Sequence, residues 1–325
     1  MDTKPLFTII IPIFNGENTL MPVLESIKNQ TFGNFELILY DDASTDQSVE
    51  LVKLSLKKYN RKFLFIEGKE NKGTHFSVNE CIKRSKGKYL CLCGQDNIFN
   101  HNRLDIVANV LLKNNKVNFV THDYIIGSLK QFNMNKGYLT KGLVNFTRIT
   151  LAKLLFFRST LFALDSSTYL KKDLKNFSSL SKYSPIEDLA ILVVNFFAKR
   201  DTNHSLKQAH INEALLYKIY SKKSQTFTKN SEINQKLIEL VNEQNLGYFL
   251  KNIILSSSNL ITLARSHNLV SIFFKFTKSP IIFILGFIGS LVNLVVREIL
   301  KSYISFDPNK FKYYNACIKT CALPK

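Results

Sequence analysis

Phe7-Thr8-Ile9-Ile10-Ile11-Pro12-Ile13-Phe14-Asn15, then Phe35-Glu36-Leu37-Ile38-Leu39-Tyr40-Asp41-Asp42-Ala43-Ser44-Thr45-Asp46, then Tyr89-Leu90-Cys91-Leu92-Cys93-Gly94-Gln95-Asp96-Asn97: these three stretches decide the fold. Each begins as a short apolar run rich in β-branched or aromatic residues and stops abruptly in polar turn residues, as strands buried on both faces do. The three strands deliver carboxylates or small polar groups to one edge of a sheet. In an open α/β sheet, that edge at the carboxyl ends of the strands is where ligands bind.

The segments between them read as helices. Leu20 to Lys28 follows the Asn15-Gly16 turn, with Pro22 tolerated in its first turn and Leu20, Val23, Leu24 and Ile27 at helical spacing. Asp46 can cap a second helix through about Tyr59, and Phe63 to Glu67 is the next strand. Phe76 to Ser85 reads as helix, ended by Lys86-Gly87; Asn102 to Lys113 reads as helix and Val117 to Thr121 as strand. This alternation implies right-handed βαβ units and a mainly parallel sheet. From Asp123 to Thr147 the periodicity fails and glycines punctuate polar residues, which predicts a loop excursion. Helices are predicted again at about 149–157 and 189–199, the latter introduced by Ser184-Pro185-Ile186-Glu187-Asp188.

The motifs Ile10 to Asn15, Asn29-Gln30-Thr31-Phe32, Asp41 to Asp46, Glu70-Asn71-Lys72-Gly73 and Lys86-Gly87-Lys88-Tyr89 resemble, in order and spacing, those of family 2 glycosyltransferases. The resemblance is dense over residues 7–115 and continues more faintly to about 228. It implies an α/β, Rossmann-like GT-A fold and inverting transfer of a sugar from a nucleotide-sugar donor. The expected organisation is a catalytic domain at 1–228, split into a nucleotide-sugar-binding half (1–121) and an acceptor-side half (122–228), with a helical C-terminal region at 229–325.

The resemblance also assigns roles. It places Pro12, Phe14 and Asn15 at the nucleotide, with Asp42 accepting a hydrogen bond from the ring N–H of the base, which a carboxylate reads well in uracil or thymine. Turn and capping work is the alternative for Asp41 and Asp42, and Asp46 reads better as a cap than as a ligand. The family's Asp-x-Asp is Gly94-Gln95-Asp96 here, so the first acid is missing and Asp96 matches the direct ligand of Mn²⁺ or Mg²⁺. One carboxylate suffices for such ions when phosphate oxygens and waters complete the shell. Gln95 and Asn97 could replace the lost sugar or ribose contact with neutral hydrogen bonds. Ser77-Val78-Asn79 stands where relatives often carry Ala-Arg-Asn, so Val78 cannot help to hold diphosphate, and Lys72 is a candidate substitute. Asp188 matches the catalytic base, with helix-dipole pairing as its structural alternative. Tyr217 to Thr226 resembles the closing diphosphate segment, where Lys222 and Lys223 could reach the leaving group. His204 and His210 read as structural.

With 44 Lys and Arg against 25 Asp and Glu, the formal charge of +19 favours an anionic partner or surface. No nucleic-acid-binding motif accompanies it, so nucleic acid is not an expected partner. Cys81, Cys91, Cys93, Cys317 and Cys321 form no paired CxxC set, and Cys91 and Cys93 read as small core residues. After about Thr228, residues 231–256 and 259–276 read as helices. Pro280 to Val296, the most apolar stretch, has lysines before it and Arg297 and Lys301 after it. As a helix it would be about 25 Å long against a hydrocarbon core of about 30 Å. A short spanning helix, a membrane-dipping helix and a buried or oligomerising helix all stay open.

The expected protein is thus a metal-dependent inverting glycosyltransferase. It would use a UDP-linked donor and a glycan or lipid-linked acceptor in bacterial surface polysaccharide synthesis. It would work in the cytoplasm, peripheral to or anchored at the inner face of the membrane. Two alternatives accompany it: an inactive relative serving as a binding partner, and a basic nucleic-acid-binding protein. A processive synthase is disfavoured, because a chain without tryptophan has no Gln-x-x-Arg-Trp motif.

Overall fold

The structure, a computed structural model, describes residues 4–57, 59, 61–113, 117, 119–133, 136–140, 164–174, 208–219 and 301–305. Its first half alternates strand and helix: β1 (Phe7–Ile13), α1 (Leu20–Lys28), β2 (Phe35–Asp41), α2 (Ser48–Leu56), β3 (Phe63–Glu67), α3 (Thr74–Arg84) and β4 (Tyr89–Leu92). β5 (Asn97–Phe99) and α4 (Arg103–Lys113) follow, then β6 (Phe119–Gly127), α5 (Leu129–Asn133) and β7 (Lys136–Thr140). β8 (Ser167–Leu170), β9 (Gln208–Ile219) and β10 (Lys301–Ser305) complete the described sheet.

The ten described strands form one sheet in the order β10-β7-β6-β8-β4-β1-β2-β3, with β9 pairing both β5 and β6. The parallel pairings expected from the βαβ pattern link β1, β2, β3 and β4. β6 also runs parallel to β9, whereas β8, β7, β10 and β5 join antiparallel, so the sheet is mixed beyond β4.

β1 and β2 lie in the middle of the parallel part, and apart from Pro12 every residue in them is buried. Phe7, Ile9, Ile11 and Ile13 join Leu37, Leu39 and the inner faces of α1 and α4 in the main core. α3 covers the opposite face, burying Val78 and Cys81. Pro12 fits because the carbonyl of Ile10 takes the amide of Cys93 just past the end of β4. Two residues further on, a missing N–H on that side leaves no ladder bond unmade.

One glycine is dictated by close approach. A Cβ on Gly87 would lie 2.5 Å from the backbone nitrogen of Thr8. The Gly87 amide instead donates to Thr8 Oγ1 at 2.9 Å, and that hydroxyl donates to buried Glu36 Oε1 at 2.6 Å. The Lys86-Gly87 helix stop is therefore also a seam between β1, β2 and the entry to β4.

Several expectations need correction. The stretch from Asp123, read as a loop, is strand to Gly127 and then contributes α5 and β7. Glycines and polar residues, Asp123 and Gly127 among them, interrupt the apolar pattern of these strands although β6 is largely buried. β9 was not anticipated at all: Gln208–Ile219 mixes polar and apolar residues, and only its second half is deeply buried. The described part of the C-terminal region, Lys301–Ser305, is a strand on β7 rather than helix. The predicted helices at 149–157, 189–199, 231–256, 259–276 and 280–296 lie outside the described residues. Among the described residues, no helix is long and apolar enough to cross a membrane.

Candidate active site

The carboxyl ends of β1, β2 and β4 meet in a braced cluster of turns. Asn15 leaves β1 with a left-handed φ of 48°, and Ala43 leaves β2 with φ 60°. Non-glycine residues in that region are uncommon and need support. Support comes from cross-linking: Asn15 N donates to Ser44 Oγ at 2.9 Å, and Thr45 N donates to Asn15 Oδ1 at 2.9 Å. Asn15 is thereby a brace between the two strand ends.

The two acids of β2 and its turn serve different neighbours. Asp42 is buried, and its two oxygens accept the amides of Lys72 at 2.9 Å and Gly73 at 2.7 Å, which anchors the loop before α3. Gly73 holds φ 85° there. Asp41 takes the Ser44 amide on Oδ2 at 3.0 Å, while its buried Oδ1 has no hydrogen-bond partner among the described residues. Asp46 accepts Ser48 N and Glu17 N, each at 3.0 Å. Burial pushes its pKa up, but the hydrogen bond from the Ser48 hydroxyl, together with these amides, outweighs burial and leaves it below the ordinary carboxylate value.

Gln95 turns back onto the end of β1. Its side-chain amide pairs with the backbone of Phe14 in both directions, accepting from N and donating to O, each at 2.9 Å. That bond spans 81 residues and extends β1 by one artificial rung beyond the end of β4. It also explains Gly16, where a Cβ would sit 2.6 Å from Gln95 Oε1. The Phe14 side chain is 42% exposed at the same edge.

Asp96 sits in the turn between β4 and β5. Burial pushes its carboxyl up to about 6, the nearby Lys218 pulls it down and Asp165 pushes it up further. β9 fixes this turn: Ile219 N donates to Asp96 O at 2.7 Å, and Lys218 stands opposite Asn97 in the β5–β9 ladder. Lys218 Nζ donates to Asp165 Oδ2 at 2.6 Å. The backbone oxygen of Asp165 in turn accepts from Arg103 Nη2 at 2.9 Å. Arg103 is fully buried, its guanidinium 3.7 Å above the Phe99 ring, with Nε and Nη1 lacking hydrogen-bond partners among the described residues. Asp96, Asp165, Lys218 and Arg103 thus form one charged cluster behind the sheet edge.

Asp165 and Lys218 were not singled out from the sequence. Asp165 is a lone acid in a short helical turn with no motif around it. Lys218 lies inside the stretch that resembles a diphosphate-contacting segment, four residues before the double lysine Lys222-Lys223. Val78 is buried against the sheet, which explains an apolar residue there. Lys72 turns outward, 2.8 Å from Glu70 and above the Phe76 ring. Asp188, Lys222 and Lys223 lie outside the described residues.

The model for glycosyl transferase family 2 matches residues 8–175, just over half the chain and including the carboxyl ends of β1, β2 and β4. The chain belongs to glycosyl transferase family 2. Eight curated bacterial relatives align over 105 to 121 residues at 29 to 36% identity. The chain spans between 15% and 46% of their length. One is the Escherichia coli UDP-Glc:alpha-D-GlcNAc-diphosphoundecaprenol beta-1,3-glucosyltransferase WfgD, 29% identical over 37% of this chain and 46% of its own. Among solved structures, Staphylococcus aureus TarS 1-349 in complex with UDP-GlcNAc superposes with TM-score 0.59 over 79% of this chain and 72% of its own, at 15% identity. The mannosyltransferase PcManGT from Pyrobaculum calidifontis, in complex with GDP-Man and Mn²⁺, gives TM-score 0.51 over 90% and 88%, at 12% identity. These likenesses establish the GT-A fold for this family-2 chain.

The residues present also fit a divalent cation of the Mn²⁺ or Mg²⁺ kind. Among the described residues no three His, Cys, Asp or Glu side chains gather into a self-sufficient metal site. A partly exposed carboxylate whose charge is poorly solvated, such as Asp96, suits an ion that brings most of its shell as water and phosphate oxygens.

Proposed function

We propose that this family-2 glycosyltransferase moves a sugar from a UDP-linked donor, with inversion, to a glycan or lipid-linked acceptor in bacterial surface polysaccharide synthesis. The observation that carries the reading is the position of Asp96. It lies at the carboxyl end of a parallel strand, in the same turn cluster as exposed Phe14, beside a fixed cation. The UDP-GlcNAc complex of TarS supports the donor class, and WfgD supports a diphospholipid acceptor.

In this reading Pro12 and Phe14 form the wall beside the nucleobase. Asp42 accepts the base N–H on lone pairs left over from Lys72 and Gly73, since each carboxylate oxygen accepts more than one hydrogen bond. Asp96 would hold Mn²⁺ or Mg²⁺, which when bound supplies positive charge to the departing diphosphate. Asp188 takes the proton of the acceptor hydroxyl as that oxygen attacks C1. The bond from C1 to the diphosphate oxygen breaks, the electron pair leaves with the diphosphate, and a single displacement inverts the anomeric centre. Lys222 and Lys223 would close over the leaving group. Residues 1–228 would form the catalytic unit, with 229–325 and the basic charge holding it at the inner face of the membrane.

The test is calorimetric titration with UDP, dTDP, GDP and CDP, each with Mn²⁺ and with chelator. Metal-assisted binding of UDP above the others, lost in Asp96→Ala, is the expected result. No binding to any of the four would reduce the protein to a GT-A scaffold without a donor site.

A further inference from the structure

The two edges of the parallel sheet carry opposite charge. The turns after β1 to β4, at residues 14–19, 42–47, 68–73 and 93–96, hold Glu17, Asp42, Asp46, Glu70 and Asp96 against Lys69 and Lys72. The connections at the amino edge, residues 29–34 into β2, 57–62 into β3 and 85–88 into β4, hold Lys57, Lys58, Arg61, Lys62, Lys86 and Lys88 and no acid. β8 runs antiparallel to β4, so its carboxyl end reaches the same edge: Leu170 pairs with Tyr89, and Lys171 N donates to Lys88 O at 3.0 Å. Lys172 follows there, and Lys4 precedes β1. Lys4, Lys57, Lys62, Lys86, Lys88 and Lys172 are all exposed. Of the acids nearby, Glu36 is buried and its Oε1 accepts from the Thr8 hydroxyl and the Gly87 amide, and Glu80 is taken up by Lys83 and Arg84.

Large apolar residues are exposed at this edge as well. Phe63 and Leu64 open β3 next to Lys62, 44% and 39% exposed, and Leu112 is 68% exposed beside Lys113 at the carboxyl end of α4. α4 leads into β6, which also pairs antiparallel with β8 and so starts at the amino edge. Lysines interleaved with exposed leucine and phenylalanine suit a headgroup layer: the ammonium groups attract acidic phospholipid, and the apolar side chains enter the boundary with the acyl chains. A nucleic-acid duplex would also be drawn to the lysines, but it offers Leu64 and Leu112 nothing apolar to enter, which favours lipid.

Resting on the membrane-surface reading given above, we propose that the amino edge of the sheet is the face by which this protein lies on a bilayer of anionic phospholipid. A high net charge brings a protein to such a surface without orienting it. The separation of charge between the two edges supplies the orientation, because the field that draws the lysines in turns the acids of the carboxyl edge away. The donor edge then stands roughly 20 Å from the headgroups, about the length of the seven-residue strand β1. It stays open to soluble nucleotide sugar while the protein is bound.

The experiment is sedimentation with vesicles of equal parts phosphatidylglycerol and phosphatidylcholine, at one fixed salt concentration, on two triple variants of equal net charge. Lys62→Gln with Lys86→Gln and Lys88→Gln should weaken binding roughly a hundredfold, since each lysine near an acidic surface contributes about fivefold. Lys53→Gln with Lys69→Gln and Lys130→Gln removes the same charge elsewhere and should cost about threefold at most, through long-range attraction alone. Leu64→Ser with Leu112→Ser should weaken vesicle binding roughly tenfold and leave binding to a short RNA duplex at the wild-type level. Thermal melts check that each variant is folded; if the first triple variant melts low, its three single variants should each lose about fivefold. Saturating vesicles should leave UDP affinity, read by calorimetry, unchanged. Equal losses in the two lysine triples, wild-type vesicle binding in the leucine variant, or displacement of UDP by vesicles overturns the proposal. Wild-type protein that binds no acidic vesicles overturns the membrane-surface reading with it, whereas vesicle binding as expected without any UDP binding leaves this proposal standing and removes the donor reading.

Discussion

Gly94 and Asp96 compete for one space. A Cβ at position 94 would come within 2.6 Å of Asp96 Oδ1 and 2.9 Å of Asn97 Nδ2. The absence of the family's first acid therefore changes more than the count of carboxylates, because the surviving one has folded towards the vacated volume. Restoring the motif with Gly94→Asp should push the Asp96 carboxylate out and add a like charge beside it. The expected outcome is a modest loss of stability, about 1 kcal/mol given the flexible ends involved, and a larger loss of metal-assisted UDP binding, read by thermal melts and calorimetry. Asp96 also leaves a pH signature. Its folded-state value of about 6 exceeds the ordinary 3.8, so the folded chain binds this proton more tightly than the unfolded chain. Stability is thus greatest with the group protonated and falls as pH rises from about 4 to 6. Asp96→Asn should therefore melt above wild type at pH 8 and with it at pH 4, a difference that thermal scans across that range would reveal.

At the scale of elements, β9 holds the site as firmly as the strands that carry the motifs. Ile219→Pro would delete the donor to Asp96 O at the end of the β5–β9 ladder. Metal-assisted UDP affinity should fall more than the melting temperature does, because the turn loosens while the core of β1, β2 and β4 stays intact. Gly87→Ala should do the reverse. It strikes the backbone of Thr8 and Phe7 rather than movable side-chain ends, and should cost about 3 kcal/mol of stability in denaturant melts. These two elements also show what could be read in advance. β1, β2 and β4 were legible, some to the residue, because runs such as Phe35–Asp41 are buried on both faces and, apart from Glu36, stay apolar or aromatic up to the turn. β9 was not, because in Gln208–Ile219 the residues that matter are a lysine and a backbone amide, and neither leaves a hydrophobic period. The first acid of the cluster was visible as part of a motif. Its partner Asp165 is brought in by tertiary contact 69 residues later in the chain, and no local pattern announces it.

For the whole molecule, a formal charge of +19 makes attraction to anionic lipid a prediction independent of any motif. Binding to vesicles containing acidic phospholipid should be measurable by sedimentation, fall steeply between 50 and 500 mM salt and vanish on neutral vesicles. Salt-insensitive binding would instead point to insertion of an apolar segment. Asp188→Asn addresses the catalytic unit as a whole: transfer should be abolished with UDP affinity unchanged, and an active variant would remove Asp188 as the base. The side chain of Gln95 has a consequence at this scale too. By clasping Phe14 it rivets the wall proposed for the nucleobase to the residue immediately preceding Asp96. A substitution selected for a different base would drag the cation turn with it, and one selected for a different cation would tilt the wall. The two specificities of such an enzyme are geared together, and a lineage seeking to change either must first release the rivet.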